Sequence, residues 1–199
     1  MTYNKPDTKL DECIYVAENI IPADLCDSIV KDIETREWSP HQWYNVTTDT
    51  NHSEETMELD VQPASPQIQK QLGKFIVEAG RQYQKNYGFQ MGGYGDAPAQ
   101  IMNQFCPLRF NRYGSGQIMR QHHDHIHSLF DGQTKGVPVL TFILNFNDNY
   151  EGADLYFWED TVVPLGKGDI IMFPSSWLFP HGVTEATKGV RYSGSVWAW

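Results

Sequence analysis

The chain has 199 residues, with 15 Lys and Arg against 25 Asp and Glu, a formal net charge of −10. That length suits one domain with a core of its own, and an apolar share of 40% with 13% aromatics excludes a disordered chain. The charge speaks against nucleic-acid binding by phosphate neutralisation, though not against a local basic pocket.

Three cysteines, Cys13, Cys26 and Cys106, give an odd count with no C-x-x-C pair. A reducing, cytoplasmic setting is therefore expected rather than a disulfide framework. Residues 1–15 are polar and of mixed charge, unlike a secretion signal. The longest apolar stretch, 137–146, is too short for a bilayer, which needs about 20 residues, so no membrane partner is expected. Without a leader, the sequons at Asn45 and Asn51 read as chance matches.

In chain order, residues 14–21 read as one strand. Pro22 then opens a helix whose Leu25, Ile29 and Ile33 recur every four residues. Residues 45–64 are polar without a period and read as a long surface loop. Ser65 and Pro66 are a cap and first-position pair for a second helix, with Ile68, Leu72, Phe75, Ile76, Ala79 and Tyr83 on one face. Gly88 is its expected stop, and Gly92, Gly93 and Gly95 mark a break. From there the character changes. Short strand-like runs at 104–113, 139–147, 154–158, 170–173, 181–184 and 190–199 are separated by turn signals such as Gly114-Ser115-Gly116 and Gly166-Lys167-Gly168. Strands at this spacing without helices between them predict an antiparallel sandwich or barrel, buttressed on one face by the helices. The expectation is a single domain over 1–199, in which 1–100 is helical and loop support and 101–199 is the β core.

Five of the seven histidines fall at two places, in His122-His123-Asp124-His125-Ile126-His127 and at His181. On a strand, His122 and Asp124 share one face, while His123, His125 and His127 share the other. Two imidazoles and one carboxylate, with coordination positions left open, make a facial triad suited to non-haem Fe(II), for which His181 is the third candidate. The competing use is a His-x-His site through His123 and His125, completed by Glu151 and His181, as in cupins. Downstream, Arg191 and Ser193 share a strand face, and a guanidinium fork beside a hydroxyl is a receptor for a carboxylate.

The ordered set Tyr113-x-x-Gly116, His122-x-Asp124, Glu151-Gly152-x-x-Leu155, Pro164, Gly168-Asp169, Phe173-Pro174-Ser175, His181 and Arg191 resembles the prolyl 4-hydroxylase-like branch of the 2-oxoglutarate and Fe(II)-dependent dioxygenases. The resemblance runs from about Phe105 to Trp199. It implies a mainly β double-stranded β-helix, or jelly roll, with the N-terminal helices packed on one sheet. It implies Fe(II) on His122, Asp124 and His181, and 2-oxoglutarate gripped by Arg191 with help from Ser193 and from Tyr113 in the pocket wall. Dioxygen is the further co-substrate and ascorbate a candidate auxiliary. The implied reaction hydroxylates an unactivated C–H bond, with succinate and carbon dioxide released, on a prolyl residue of a peptide or protein. The alternatives are an oxygenase for a free amino acid or small metabolite, a cupin-like metalloprotein without 2-oxoglutarate, and a jelly-roll binding module. The family often has a tyrosine three residues before its first metal histidine, where this chain has Met119. Residues 38–44 with the loop 45–64 are candidates for a substrate lid. Trp43, Tyr44 and Trp177 are candidates for a substrate groove.

Overall fold

The computed structural model describes residues 9–45, 48, 50–52, 58–87, 102, 104–124 and 137–199. After a 3-10 turn at Leu10–Cys13, the elements are β1 (Tyr15–Ala17), α1 (Ala23–Ile33), β2 (Ser39–Pro40), β3 (Trp43–Asn45), β4 (Thr50–His52), β5 (Asp60–Pro63), α2 (Pro66–Tyr87), β6 (Arg109–Tyr113), β7 (Met119–His122), β8 (Leu140–Asn145), β9 (Glu151–Gly152), β10 (Leu155–Phe157), β11 (Thr161–Val162), β12 (Ile170–Pro174), β13 (His181–Val183), β14 (Ala186–Lys188) and β15 (Arg191–Ala198). A seven-stranded sheet runs β1-β12-β8-β15-β6-β5-β2, and a four-stranded sheet runs β11-β10-β13-β7. Two ribbons, β3-β4 and β9-β14, complete the described strands. Neighbouring strands within the sheets are antiparallel.

The large sheet is buried on both faces, and its side-chain alternation sorts residues between two cores. On β8, Leu140, Phe142 and Leu144 point to the helices, as do Ile170 and Met172 of β12 and Tyr192, Val196 and Ala198 of β15. There they meet Ile29 and Ile33 of α1 and Ile68, Leu72, Ile76 and Ala79 of α2. The opposite face carries Ile143, Ile171 and Phe173 toward Leu155, Phe157 and Val183 of the small sheet. The result is the expected double-stranded β-helix with helices against its large sheet.

Helix α2 starts as its cap pair predicts, with the Ile68 N–H donating to Ser65 Oγ at 3.3 Å. Its C-terminal tyrosines tie it to the chain before β1: the Tyr83 hydroxyl donates to the Cys13 carbonyl at 3.1 Å, and Tyr87 to that of Ile14 at 3.4 Å. Helix α1 buries Cys26, Ile29 and Ile33, with Pro22 as its N-cap. The segment 45–64, expected as loop, instead contains β4 and β5. Strand β5 extends the large sheet by pairing with β6, and the Gln62 amide donates to the Glu37 carbonyl at 2.9 Å. The short strands β9, β11 and β14 were not expected either. Gly88 and the glycines Gly92, Gly93 and Gly95 lie outside the described residues. No described helix is long and apolar enough to cross a membrane.

One turn ties the N-terminal segment to the core. Asp169 is buried and accepts the Asn19 N–H on Oδ1 and the Gly166 N–H on Oδ2, both at 2.7 Å. Gly168 has φ +90°, and a Cβ there would stand 2.3 Å from the Ile21 carbonyl oxygen, so this tight approach requires glycine. Asp169→Ala removes two backbone hydrogen bonds to a buried charge and is expected to lower unfolding free energy by about 2–4 kcal/mol. Urea unfolding checks it, with a lower midpoint at an unchanged slope.

Candidate active site

The paired strands β7 and β13 set His122 directly opposite His181, with ring centroids 4.4 Å apart. Strand β7 ends at His122, and Asp124 stands in the bend just beyond it rather than on the strand. The bend still brings the carboxylate back between the rings. Asp124 Oδ1 is 3.4 Å from His122 Nε2, and Oδ2 is 3.5 Å from His181 Nε2. The three donor atoms lie within 4.8 Å of one another. Two ligands about 2.1 Å from one ion at a right angle are roughly 3 Å apart, so the spacing suits a shared divalent metal.

Both imidazoles are held in the tautomer a metal needs. His122 Nδ1 is 2.8 Å from the Arg120 carbonyl oxygen, and His181 Nδ1 is 3.0 Å from that of Phe179. A carbonyl only accepts, so Nδ1 carries the proton and Nε2 presents its lone pair. Burial pushes His181 down to about 4, which keeps it neutral at pH 7. Burial alone would raise Asp124, but His181, His122 and the Thr141 hydroxyl outweigh it and hold the carboxyl well below the usual range. Thr141 Oγ1 donates to Asp124 Oδ2 at 2.7 Å and stands 2.8 Å from Ser175 Oγ. The rings of Phe157 and Phe173 pack on His181, and Trp43 packs on His122 at 5.7 Å.

These residues line one cavity between the two sheets together with Tyr113, Met119, Arg191 and Ser193. Arg191 is 1% exposed. Its Nε donates to Asn145 Oδ1 at 3.1 Å and its Nη1 to the Ala153 carbonyl at 2.7 Å, so both partners are neutral. No carboxylate among the described residues forms an ion pair with it. Tyr113 sits beside it, with the guanidinium 5.8 Å from its ring, and burial raises the phenol's pKa. Met119, in place of the frequent tyrosine, is a buried wall residue.

The structure sorts the other sequence candidates. His123 is exposed and is not among the clustered donors, while His125 and His127 lie outside the described residues. Glu151, needed for the cupin-like set, pairs with Lys188 at the exposed β9-β14 ribbon. Trp177 is 67% exposed and does not line the cavity. Trp38 packs on Tyr192 and Arg112, away from it. The side chain of Tyr44 lies outside the described residues. Sequence reasoning missed Thr141, Ser175, Asn145 and Glu58, which braces Trp43. A polar Thr141 and Asn145 inside the otherwise apolar run 139–147 were the available signal.

Glu58 braces Trp43. It accepts from Trp43 Nε1 at 2.5 Å and Arg120 Nε at 2.8 Å, and lies 3.2 Å from His41 Nδ1. This holds Trp43 in place against His122. Burial, then the Arg109 charge, pushes His41 down to about 4, against the pull of Glu58.

Comparison with known proteins agrees with this geometry. Residues 108–199 match the family model of the 2OG-Fe(II) oxygenase superfamily. A PKHD-type hydroxylase of Shewanella sp. (strain MR-7) is 34% identical over 104 residues, covering 50% of this chain and 45% of that one. The chain thus matches over about half the length of such relatives. Among solved structures, a Pseudomonas putida prolyl-4-hydroxylase aligns over 94% of this chain and 91% of its own, at TM-score 0.61 and 18% identity. A Trichoplax adhaerens prolyl hydroxylase, solved with a hypoxia inducible factor oxygen degradation domain peptide fragment, aligns over 94% and 84% at TM-score 0.67 and 14% identity. Residues 108–199 are thus similar to the 2OG-Fe(II) oxygenase superfamily, and the chain shares its fold with these prolyl hydroxylase structures.

Two outcomes are expected from the site's own contacts. Thr141→Val keeps the shape but deletes the donor to Asp124, and Mn(II) affinity by calorimetry should fall by about tenfold or more. His41 is neutral when folded and has an ordinary value of 6.5. Its contribution to stability is therefore complete above pH 6.5 and lost as pH falls from there toward 4. His41→Gln should flatten the fall in unfolding free energy over that window by about 3 kcal/mol, read from urea unfolding at a series of pH values.

Proposed function

We propose that the protein is an Fe(II)- and 2-oxoglutarate-dependent dioxygenase that hydroxylates a prolyl residue of a peptide or protein, releasing succinate and carbon dioxide. The observation that carries this reading is one cavity holding a His-Asp-His donor set and, on the facing sheet, a buried arginine without an anionic partner among the described residues. The donor set fits Fe(II): two imidazole nitrogens and one carboxylate oxygen on one side leave the other positions open. Arg191 fits the distal carboxylate of 2-oxoglutarate, because a buried guanidinium whose partners are all neutral gains most from an anion. When bound, the iron and its co-substrates supply the oxidising chemistry.

The chain's own residues do the positioning. His122, Asp124 and His181 hold the metal, with their orientation set by the Arg120 and Phe179 carbonyls and by Thr141. Arg191 is pre-oriented by Asn145 and the Ala153 carbonyl, and Ser193 and the Tyr113 hydroxyl stand beside it as further donors. Phe157, Phe173, Leu155 and Val183 exclude water from that end. Trp43, braced by Glu58 and packed on the metal-ligand candidate His122, offers an aromatic face of the kind on which a proline ring packs well. The prolyl hydroxylase names of the structural neighbours support the substrate class. We further take the whole chain as one catalytic domain, since β1, β2 and β5 complete the large sheet from the N-terminal side. A reducing, cytoplasmic setting accords with Cys13, Cys26 and Cys106 being free thiols.

The test is succinate formation and a one-oxygen mass gain on a prolyl peptide library with Fe(II), 2-oxoglutarate and ascorbate. His122→Ala and His181→Ala should abolish metal binding and turnover, and His123→Ala should leave metal affinity intact. Arg191→Lys keeps the charge but loses the fork, and the apparent KM for 2-oxoglutarate should rise about tenfold or more. Succinate release only with free amino acids or small metabolites would remove the peptide substrate while leaving the oxygenase. No effect of Arg191→Ala on 2-oxoglutarate turnover would overturn the co-substrate site.

A further inference from the structure

A second arginine lines the same cavity, and the proposed reaction gives it no task. Strands β6 and β15 pair Tyr113 with Arg191, Asn111 with Ser193 and Arg109 with Ser195. All six side chains line the cavity. Arg191 and Arg109 therefore mark opposite ends of one polar ladder, four residues and about 13 Å apart along the strands. Arg109 donates from Nε to Asn111 Oδ1 at 3.1 Å, and its guanidinium lies 5.4 Å from the ring centroid of Trp197. Neither partner is an anion, and among the described residues no carboxylate forms an ion pair with it. Burial pulls its pKa down, so the cation is held against a desolvation penalty. Trp197, also in the cavity wall, has an indole N–H that is buried without an acceptor among the described residues. A buried donor left unmet carries a desolvation penalty of its own. At this end of the cavity, among the described residues, the indole N–H thus stands without an acceptor and the guanidinium without an anionic partner.

We infer that the substrate carries a carboxylate close to the carbon that is oxidised, and that Arg109 and the Trp197 indole receive it. The inference rests on the oxygenase reading above and narrows its substrate class. Formal charge favours it. Fe(II) and the 2-oxoglutarate dianion cancel, and Asp124, whose charge acts on Arg109, offsets only one of the two arginines. Together these groups leave one positive charge in the cavity. A neutral substrate segment would seal that charge away from water unpaired, whereas a carboxylate forms a charge-assisted fork with it. The co-substrate's distal carboxylate is already served at the far end of the ladder. The prolyl compound that fits is a peptide chain ending in proline, in preference to a proline inside a neutral segment.

The test compares matched acids and amides that differ only in the carboxylate: N-acetylproline with N-acetylprolinamide, a proline-terminated tripeptide with its amide, and the same pairs on other amino acids. Binding is measured by calorimetry on protein loaded with Mn(II) and 2-oxoglutarate. In the wild type, the best acid should bind about tenfold or more tightly than its amide. Arg109→Leu should bring that acid down to the level of its amide while 2-oxoglutarate affinity changes less than about twofold. Trp197→Phe keeps the ring, loses the N–H and should weaken the acid alone by a few-fold. Acids that bind no better than amides across the panel, including no binding by either, would overturn the inference without touching the oxygenase reading. A loss of 2-oxoglutarate affinity in Arg109→Leu would also overturn it, by assigning Arg109 to the co-substrate. Failure of the Mn(II)-loaded wild type to bind 2-oxoglutarate would bring down the oxygenase reading and this inference together.

Discussion

The pairing of His122 with His181 across β7 and β13 is the constraint on which the site depends. Side chains on a strand alternate, so a slip of one residue would turn either imidazole to the other face of the small sheet. Each ring is also oriented by its local chain, through a hydrogen bond to the carbonyl two residues earlier. Register brings the two rings together, and the local bonds decide which nitrogen each presents. Asp124 has no such strand to hold it, because β7 ends at His122. Thr141, from the large sheet, supplies the missing restraint. The triad therefore exists only when both sheets are closed on each other.

That closure must coexist with a polar interior, and the large sheet separates the two demands by face. Its helix side is apolar and buries Leu72, Phe110, Phe142 and Met172 completely, which provides most of the area withdrawn from water. Its inner side is apolar along β12 and at Ile143 of β8, but polar along β6 and β15 and at Thr141 and Asn145 of β8. The polar stripe is tolerable because its members bond one another. Asn111 donates to Ser195 Oγ at 2.8 Å, and Asn145 accepts from Arg191. Asn147 donates to the Val190 carbonyl at 2.7 Å and accepts the Tyr192 N–H at 2.8 Å, which fixes the start of β15. A satisfied network of this kind is rigid, and rigidity is what a site built from two separate sheets requires.

What was legible in the sequence follows from the same division. Strands β8 and β12 are largely apolar runs bounded by turn residues, and α2 combines a Ser-Pro start with a four-residue apolar period, so both declare themselves locally. The His-x-Asp pair with a distant His and Arg was legible because its chemistry is unusual in combination. Strand β5 was not. Its sequence, Asp-Val-Gln-Pro, has little β propensity, and it is a strand because β6 presents an edge to it from about fifty residues away. Thr141, Glu58 and Arg109 stayed hidden for a related reason. Each is ordinary in its own segment and acquires a role only from what folding brings opposite it: Asp124, Trp43 and Trp197 respectively.

The charge balance shows how composition can mislead about small ligands while holding for large ones. A net charge of −10 opposes any extended polyanion that must lie along the surface. Yet surface charges are screened over about 8 Å at physiological salt, whereas buried ones are screened far less. Two arginines that line one cavity, neither paired to a carboxylate among the described residues, therefore govern what enters it more than the acidic exterior does. An anion small enough to leave bulk water and enter the cavity gains a desolvated guanidinium at contact and loses only a screened repulsion outside. The acidic surface and the cationic interior thus act together as a filter: they turn away polymers of negative charge and favour single carboxylates on compact molecules.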